Sequence, residues 1–429
     1  MGKDMTNAGG GAEVDGPTLS SSSNLTIWSR YKEALFTGFT FYYLSTVLVV
    51  LGVAFGTELI PRRNLPSVNQ NDPGLPHALA NWDGVWYARI VRDGYEYNPQ
   101  RASSVAFFPL YPVMGKALTL LAPISEEVAL LVVSHASLLA LFSIVFLYVH
   151  DRYGDSQKSS CEWVLLGLAF WPITFFMRMA YTESLFVLLL VAALFAMNRG
   201  FPVLVVAFIV GLATGCRSAG VALVLPFVWY LWQQSRGWNQ FAIKSLFCLP
   251  LSIWGLVAYM VYQHFQFGDA LAFVKTQSHW VARQPESLGQ YVIALATLEP
   301  IWSKFDPNSF AYWRRFDSST SELFSFEVAN PIYFVLTAAL VGVGWWKRWL
   351  NSYEVLLSIG LLGVPYLSHS YRIVMMGHAR FASSVFPVYL VLGHLLSRAP
   401  PTLAAVILAI WAAFLVLYSA LFASWHRVF

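Results

Sequence analysis

Charge is what this sequence has least of. Of 429 residues only 12% are Asp, Glu, Lys or Arg, while 57% are hydrophobic and 16% aromatic. Soluble domains carry about 25% charged residues, so half of the usual solvating charge is missing. The net charge is only +4, and basic residues are scattered at segment ends rather than clustered, which argues against a nucleic-acid binder. Cysteine is scarce too. Cys161, Cys216 and Cys248 lie in or at apolar segments with no CxxC or His-rich pairing. That argues against a disulfide framework or a structural zinc site and leaves them as buried packing residues. There is no HxE or DxD cluster, no early apolar stretch of a cleavable signal peptide, and no visible inverted repeat.

What is abundant is apolar runs. A hydrocarbon core of about 30 Å needs roughly 20 apolar residues per helix. The runs at 33–55, 127–149, 162–178, 180–198, 201–216, 218–233, 241–263, 331–346, 353–370, 381–397 and 402–423 predict an all-α polytopic membrane protein with about 11 transmembrane helices. Segment 104–122 is also apolar, but Pro109, Pro112 and Lys116 interrupt it, so it reads as a helix lying at the interface.

Starting from the inside, the short inner loops hold Arg152 and Lys158, Arg199, Arg236, Lys347 and Arg348, and Arg398, as the positive-inside rule asks. The polar, Gly- and Ser-rich residues 1–32 are expected to form a disordered cytoplasmic tail, 33–423 a transmembrane domain, and 424–429 a short C-terminal tail. Two outer loops are long, 56–126 and 264–330, a length that usually signals function or small structures of their own.

The non-topological charges then fall on one face. Asp83 and Arg89 lie in the first outer loop; "MRMAYTES" (177–184), "TGCRSAG" (214–220) and "HSYRIVMMGHARF" (369–381) lie at outer turns. Asp83, Arg178, Glu183, Arg217, Lys275, Arg372, His378 and Arg380 thus converge from distant segments on a cation-rich cavity. Such residues within a membrane protein usually face a cavity or a partner. Singly, each has a plainer reading. Asp83 is a good N-cap for a helix starting at Gly84. Glu183 can pair locally with Arg178, the arginines can snorkel to headgroups, and His378 can be an ordinary interfacial histidine. Coincidence on one side favours a site for an anionic, lipid-linked substrate.

The motifs carry a resemblance. "NWDGVWYARIVRDGY" (81–95) followed by "AFFPLYP" (106–112), then "AYTESLF" (180–186), "CRSAG", "FGDALAFVKTQ" (267–277) and "ARFASSVFPVYL" (379–390) resemble the PIG-V-type mannosyltransferases, the GPI mannosyltransferase 2 family of the GT-C superfamily. The departures are Ala219 in "CRSAG", where the eukaryotic pattern has Asn, and the spacer "EYNPQRASSV" (96–105). They suggest a bacterial relative whose acceptor need not be a GPI precursor. The resemblance implies a GT-C-type fold with two long outer-face loops carrying interfacial helices. It also implies mannose transfer from a polyprenyl- or dolichyl-phosphate-mannose donor to a hydroxyl of a lipid-linked or glycan acceptor. The implied site faces the periplasm or lumen, in a bacterial inner membrane rather than the endoplasmic reticulum.

Asp83 matches the family's catalytic acidic position, implying an inverting displacement with Asp83 as general base, worth about 10²–10⁴-fold in rate. Candidate substrate-binding residues are Trp82, Trp86, Tyr87, Phe108, Tyr111, Tyr181, Glu183, Arg217, Lys275, Gln277, Arg372, His378 and Arg380. The cations among them would stabilise the leaving phosphate, Arg380 and Arg217 foremost. No cofactor is expected, although Asp83, Glu183 and His378 keep Mg²⁺ or Mn²⁺ formally open. Two other readings are a GT-C enzyme for a different lipid-phosphate sugar and a transporter or flippase of lipid-linked anions; the latter would expect inverted repeats and mid-bilayer polar residues.

Overall fold

The computed structural model describes residues 21–63, 74–154, 158–318 and 320–426. Its helices are, in order, α1 Ser21–Leu59, α2 Leu75–Ala78, α3 Asp83–Asp93, α4 Leu110–Leu121, α5 Glu126–Tyr153, α6 Lys158–Phe170 and α7 Glu183–Asn198. Then come α8 Val203–Cys216, α9 Val224–Gln233, α10 Trp238–Ser252, α11 Trp254–Phe267, α12 Ala272–Lys275, α13 Leu288–Ala296 and α14 Glu299–Trp302. The chain closes with α15 Phe326–Trp346, α16 Ser352–Pro365, α17 His378–Ser383, α18 Pro387–Arg398 and α19 Pro401–Ala423. Short 3₁₀ segments join several of them, and no strand occurs among the described residues.

The chain is a multi-pass, all-helical membrane protein. Four helices are long and apolar enough to cross a bilayer: Trp28–Leu59, Glu126–Tyr153, Phe326–Trp346 and Pro401–Ala423. Two bent pairs bring the number to six among the described residues, short of the expected eleven. The first pair breaks by 77° where Pro172 opens a 3₁₀ run to Arg178, so the run 162–178 is not one straight helix. The second breaks by 52° between α10 and α11, just after Pro250. Proline removes a ladder hydrogen bond and clashes with the preceding turn, which accounts for the first break; Pro250 lies inside α10, and the second break falls three residues later, at Ile253. Helix α1 begins at Ser21, inside the stretch 1–32 expected to be unstructured; residues 1–20 and 427–429 lie outside the described residues.

Close crossings are set by small residues. Gly255 lies against Gly211 and Gly215, where an added Cβ would stand 2.3 Å from the Gly211 carbonyl oxygen. Only a missing side chain lets α8 and α11 approach so closely.

The bundle has two chemically different ends. At one, Arg199 pairs with Asp151 at 2.6 Å and Arg152 with Glu354 at 3.2 Å. Asn351 caps α16 in a capping box with Glu354, and Arg398 lies over the Trp349 ring. At the other end the C-terminus of α19 meets the loop before α3: the Arg63 amide donates to Ser424. Helix α7 spans this distance, from Glu183 at the second end to Asn198 and the neighbouring Arg199 at the first. The second end carries both long loops. There the Ser103 amide donates to Thr276 Oγ1 (3.1 Å), joining one loop to the other, and the Tyr259 hydroxyl of α11 donates to Val105 of the first loop (2.9 Å).

Candidate functional site

The site begins with a tight turn. Residues 81–84 close through the Gly84 amide, which donates to the Asn81 carbonyl at 3.1 Å. Trp82 stands at φ 58°, ψ −114°, the first central position of a type II′ turn, where glycine is usual. A tryptophan held there costs on the order of 1–3 kcal/mol and persists only when the surroundings over-determine it. The surroundings do so. Asn81 is buried, and its side-chain amide donates to the carbonyls of Phe422 (3.2 Å) and Ala423 (3.0 Å). The Trp82 ring packs on Trp425. The Tyr181 hydroxyl accepts from the Asp83 amide (3.1 Å) and donates to the Asn81 carbonyl (3.3 Å).

This turn decides how Asp83 is used. Helix α3 starts at Asp83 itself, with Trp82 in the cap position and no side-chain cap bond. The reading of Asp83 as N-cap of a helix beginning at Gly84 therefore fails. Its carboxylate instead forms an ion pair with Arg380. Arg380 also pairs through Nε with Glu183 Oε1, and the same oxygen receives Arg217. Four charges from four distant segments form one chain: Asp83, Arg380, Glu183, Arg217.

Exposure grades along that chain. The Asp83 side chain is 25% exposed, Arg380 and Arg217 are 11% and 10%, and Glu183 is fully buried. Tyr181 lies under the Arg380 guanidinium, 4.6 Å from its centre. Phe186 and Phe381 flank Arg217, and Thr182 Oγ1 accepts from it at 3.3 Å. Two cations and two carboxylates balance, so the cluster is neutral as a whole. The second Glu183 oxygen, Oε2, is buried without a hydrogen-bond partner among the described residues.

Around this chain the aromatic residues divide. Trp86 is half-buried, stacked on Phe107 and edge-on to Trp280, with Arg89 over its ring. Tyr87 is buried edge-on to Phe107 and Tyr111. Phe108 and Tyr111 have packing roles in place of the expected substrate contacts. Phe108 is buried against Tyr259 and Phe273, and the Tyr111 hydroxyl donates to Leu130 inside the bundle. The alternation within "AFFPLYP" turns Phe107, not Phe108, toward Trp86.

Several of the residues expected at the cavity do not join the cluster. Lys275 is exposed and paired with Asp269 at 2.7 Å, and its hydrogen bond holds the Asp269 carboxyl below the usual range. Gln277 is half-buried in the 3₁₀ turn Thr276–Trp280. Arg372 lies over Tyr291, and its carbonyl accepts from Ala282 and Arg283. His378 is buried between Phe334 and Phe381 and donates from Nδ1 to Met375. Burial pushes its pKa down to about 4, so it is a neutral ring and not a cation for a phosphate. Arg178 bonds Thr174 and Ser45 in the bundle interior rather than Glu183.

No group of three or more His, Cys, Asp or Glu able to hold a metal occurs among the described residues. Two clefts of about 670 Å³ lie elsewhere, one lined by Trp229, Trp345, Trp346 and Arg348, the other by Leu249, Trp254 and Val257. Sequence reasoning missed Asn81, which ties the turn to α19. It also missed two loop ion pairs, Lys304 with Glu327 and Arg283 with Glu299. The sole signal for Asn81 was its place next to Trp82 and Asp83.

Comparison with known proteins adds to this geometry. The chain is 33% identical over 178 residues to GPI alpha-1,6-mannosyltransferase 2 of Homo sapiens, covering 38% of this chain and 34% of that protein. It is 31% identical over 167 residues to the Cricetulus griseus protein of the same name, covering 37% and 32%. The chain thus spans about a third of the length of the curated relatives it matches. Among solved structures, an Archaeoglobus fulgidus oligosaccharyltransferase in the apo form covers 90% of this chain and 56% of its own at 12% identity. Its TM-score is 0.43, at which the likeness does not define the fold. Residues 59–263, which hold Asp83, Glu183 and Arg217, match the family model described as Mannosyltransferase (PIG-V). Over that stretch, just under half of the 429 residues, the chain is similar to the PIG-V mannosyltransferases.

Proposed function

We propose that this protein is an integral-membrane mannosyltransferase. It takes mannose from a polyprenyl- or dolichyl-phosphate-mannose donor and passes it, with inversion, to a hydroxyl of a lipid-linked or glycan acceptor. In this reading the chain crosses the membrane eleven times in a GT-C-type arrangement, and the Asp83 end faces away from the cytoplasm, in a bacterial inner membrane. The observation that carries the reading is the ion chain itself. Its outermost member is a partly exposed carboxylate, and the two guanidinium groups behind it share one buried anchor.

The chemistry needs a base, a cation for the leaving group, and exclusion of water. An acceptor hydroxyl gives its proton to an Asp83 carboxylate oxygen as its own oxygen bonds the anomeric carbon. The bond from that carbon to the phosphate oxygen breaks, and its electron pair stays on the phosphate. The departing phosphate gains charge, and preorganised cations in a low-dielectric site oppose it. Arg380 is placed for both tasks: its NH1 holds Asp83 while its Nε is retained by Glu183. A donor phosphate that draws NH1 to itself releases Asp83 to act as a base at the same moment. Arg217, fixed by Glu183 and Thr182, supplies the second cation. Trp86 offers a half-exposed ring for sugar stacking.

The test is turnover by the purified, reconstituted protein on a panel of polyprenyl-phosphate sugars. Mannose transfer or slow mannose hydrolysis is expected to exceed that of glucose and aminoarabinose donors. Use of another sugar alone would keep the chemistry and discard mannose; no turnover, with binding and transbilayer movement of the lipid instead, would replace the enzyme by a transporter.

A further inference from the structure

Loop 264–330 carries a helix with two apolar faces. On one face of α13, Ala294 and Leu295 pack on Tyr371, with Tyr291 and Tyr366 beside them, in a small core separate from the main one. On the other, Leu288, Val292 and Ile293 are 78%, 55% and 64% exposed, and Leu298 and Trp302 continue the surface beyond the helix at 53% and 50%. Five large, exposed apolar side chains within fifteen residues of a loop standing in water are unusual and mark a binding or membrane face.

Its depth suggests what covers it. Helix α16 begins beside Lys347, Arg348 and the exposed Trp345 and Trp346, a combination typical of a membrane boundary. Its 14 residues rise about 21 Å, and the π-turn Tyr366–Ser370 adds one more turn. That brings Tyr366 and Tyr371, the seat of α13, close to the far boundary of a hydrocarbon layer about 30 Å thick. Polar bonds fix the helix at that level. The Tyr366 hydroxyl donates to Leu295 (2.8 Å) and the Tyr291 hydroxyl to Leu367 (2.5 Å).

The same loop is tied to the segment ending in Arg380. Arg283 donates from Nε to the Tyr371 carbonyl (2.8 Å), lies 3.8 Å over the Tyr371 ring, and grips Glu299 with both terminal nitrogens. The amides of Ala282 and Arg283 donate to the Arg372 carbonyl. Val374, Met375 and Gly377 follow at positive φ (47°, 64° and 77°). For Val374 this is a true outlier, so the segment needs outside support to hold its shape.

We propose that α13 and α14 form a lipid-seated strap. The face of Leu288, Val292, Ile293, Leu298 and Trp302 lies in bilayer lipid at the hydrocarbon boundary, and the Arg283 latch transmits that anchorage to residues 371–380. The inference stands on burial and depth and does not depend on the mannosyltransferase reading.

The test uses the full chain in phosphatidylcholine vesicles, with an environment-sensitive fluorophore on Ile293→Cys and, separately, on Val292→Cys; Glu286→Cys is the control. The native cysteines are all buried. The strap predicts blue-shifted emission at 292 and 293, quenched by nitroxide-labelled phospholipid and shielded from iodide, while 286 stays open to iodide. Water-like emission at 292 and 293, with iodide quenching equal to that at 286, overturns lipid seating. Hydrogen exchange reads the latch. Arg283→Ala is expected to raise exchange at least tenfold in residues 371–377 while α5 and α7 keep their protection. Unchanged exchange there overturns the coupling.

Discussion

Replacing Glu183 by alanine removes the one oxygen on which two guanidinium groups converge. Were this pair at the surface, its loss would cost about 0–1 kcal/mol. Glu183 is fully buried, however, and the arginines are only about a tenth exposed. Breaking a buried pair by removing one partner costs about 3–5 kcal/mol, because the remaining charge stays out of water. The loss falls unevenly. Arg380 keeps Asp83, whereas Arg217 is left with Thr182 Oγ1 at 3.3 Å and the rings of Phe186 and Phe381. Removing Arg217 as well takes away the orphaned charge. Glu183→Ala is therefore expected to lose about 3–5 kcal/mol and the double variant with Arg217→Ala to lose less than the sum, with a coupling of at least about 1 kcal/mol. Unfolding in mixed micelles, followed by tryptophan fluorescence over the four members of the cycle, measures both quantities. A cost below about 1 kcal/mol, or strict additivity, refutes the claim that this carboxylate is the buried anchor of the arginines.

Gly255→Leu is expected to separate α8 from α11, since even a Cβ there stands 2.5 Å from the Gly215 nitrogen; overpacking of this kind costs about 1–3 kcal/mol, read by the same unfolding assay. His378, with its pKa near 4 when folded and about 6.5 when unfolded, links stability to pH. The unfolded chain binds the proton first, so the contribution is complete above about pH 6.5 and is lost as pH falls toward 4, by up to about 3 kcal/mol. His378→Gln is expected to flatten that part of the pH–stability curve, and an unchanged slope would falsify the buried neutral ring.

Much of the site was legible because sparse charges in an apolar chain have few places to go. Asp83, Glu183, Arg217 and Arg380 stood out as polar residues at turns on one side, and they meet. What one sequence does not encode directly is side-chain direction after irregular backbone. The turn at Trp82 moves Asp83 from the cap position to the first helical residue, and three positive φ values before His378 set which neighbours face inward. His378 thus turns into an apolar slot, while Arg380, two residues on, reaches Asp83. Phe108, the expected contact, turns into the bundle for the same reason, and its neighbour Phe107 faces Trp86 instead. Arg178 reads as a partner for Glu183 by proximity in sequence, yet the 3₁₀ run Pro172–Arg178 points it at Ser45 on α1.

The helical class was plain from composition, and four to six of the eleven expected spans stand out by length and apolarity among the described residues. Helices α6, α7 and α8 hold 13–16 residues, fewer than the roughly 20 of a straight span, so length and composition alone do not mark them as crossings, and helix breaks at Pro172 and after Pro250 divide two runs that hydropathy alone reads as continuous. The loop ion pairs, Arg283 with Glu299 and Lys304 with Glu327, join residues 16 and 23 positions apart. No helical or strand period links such positions, so they emerged only from the folded loop.

The central claim is that the Asp83 carboxylate takes the acceptor proton. Single-turnover transfer from a polyprenyl-phosphate-mannose donor by Asp83→Asn, beside the parent protein, tests it most directly. Asparagine keeps the side chain's size at a partly exposed position, so the fold is expected to survive, verified by unfolding in the same micelles. The account predicts a loss of at least about 100-fold in the transfer rate with donor binding retained. Transfer at the parent rate in a folded Asp83→Asn protein would contradict it.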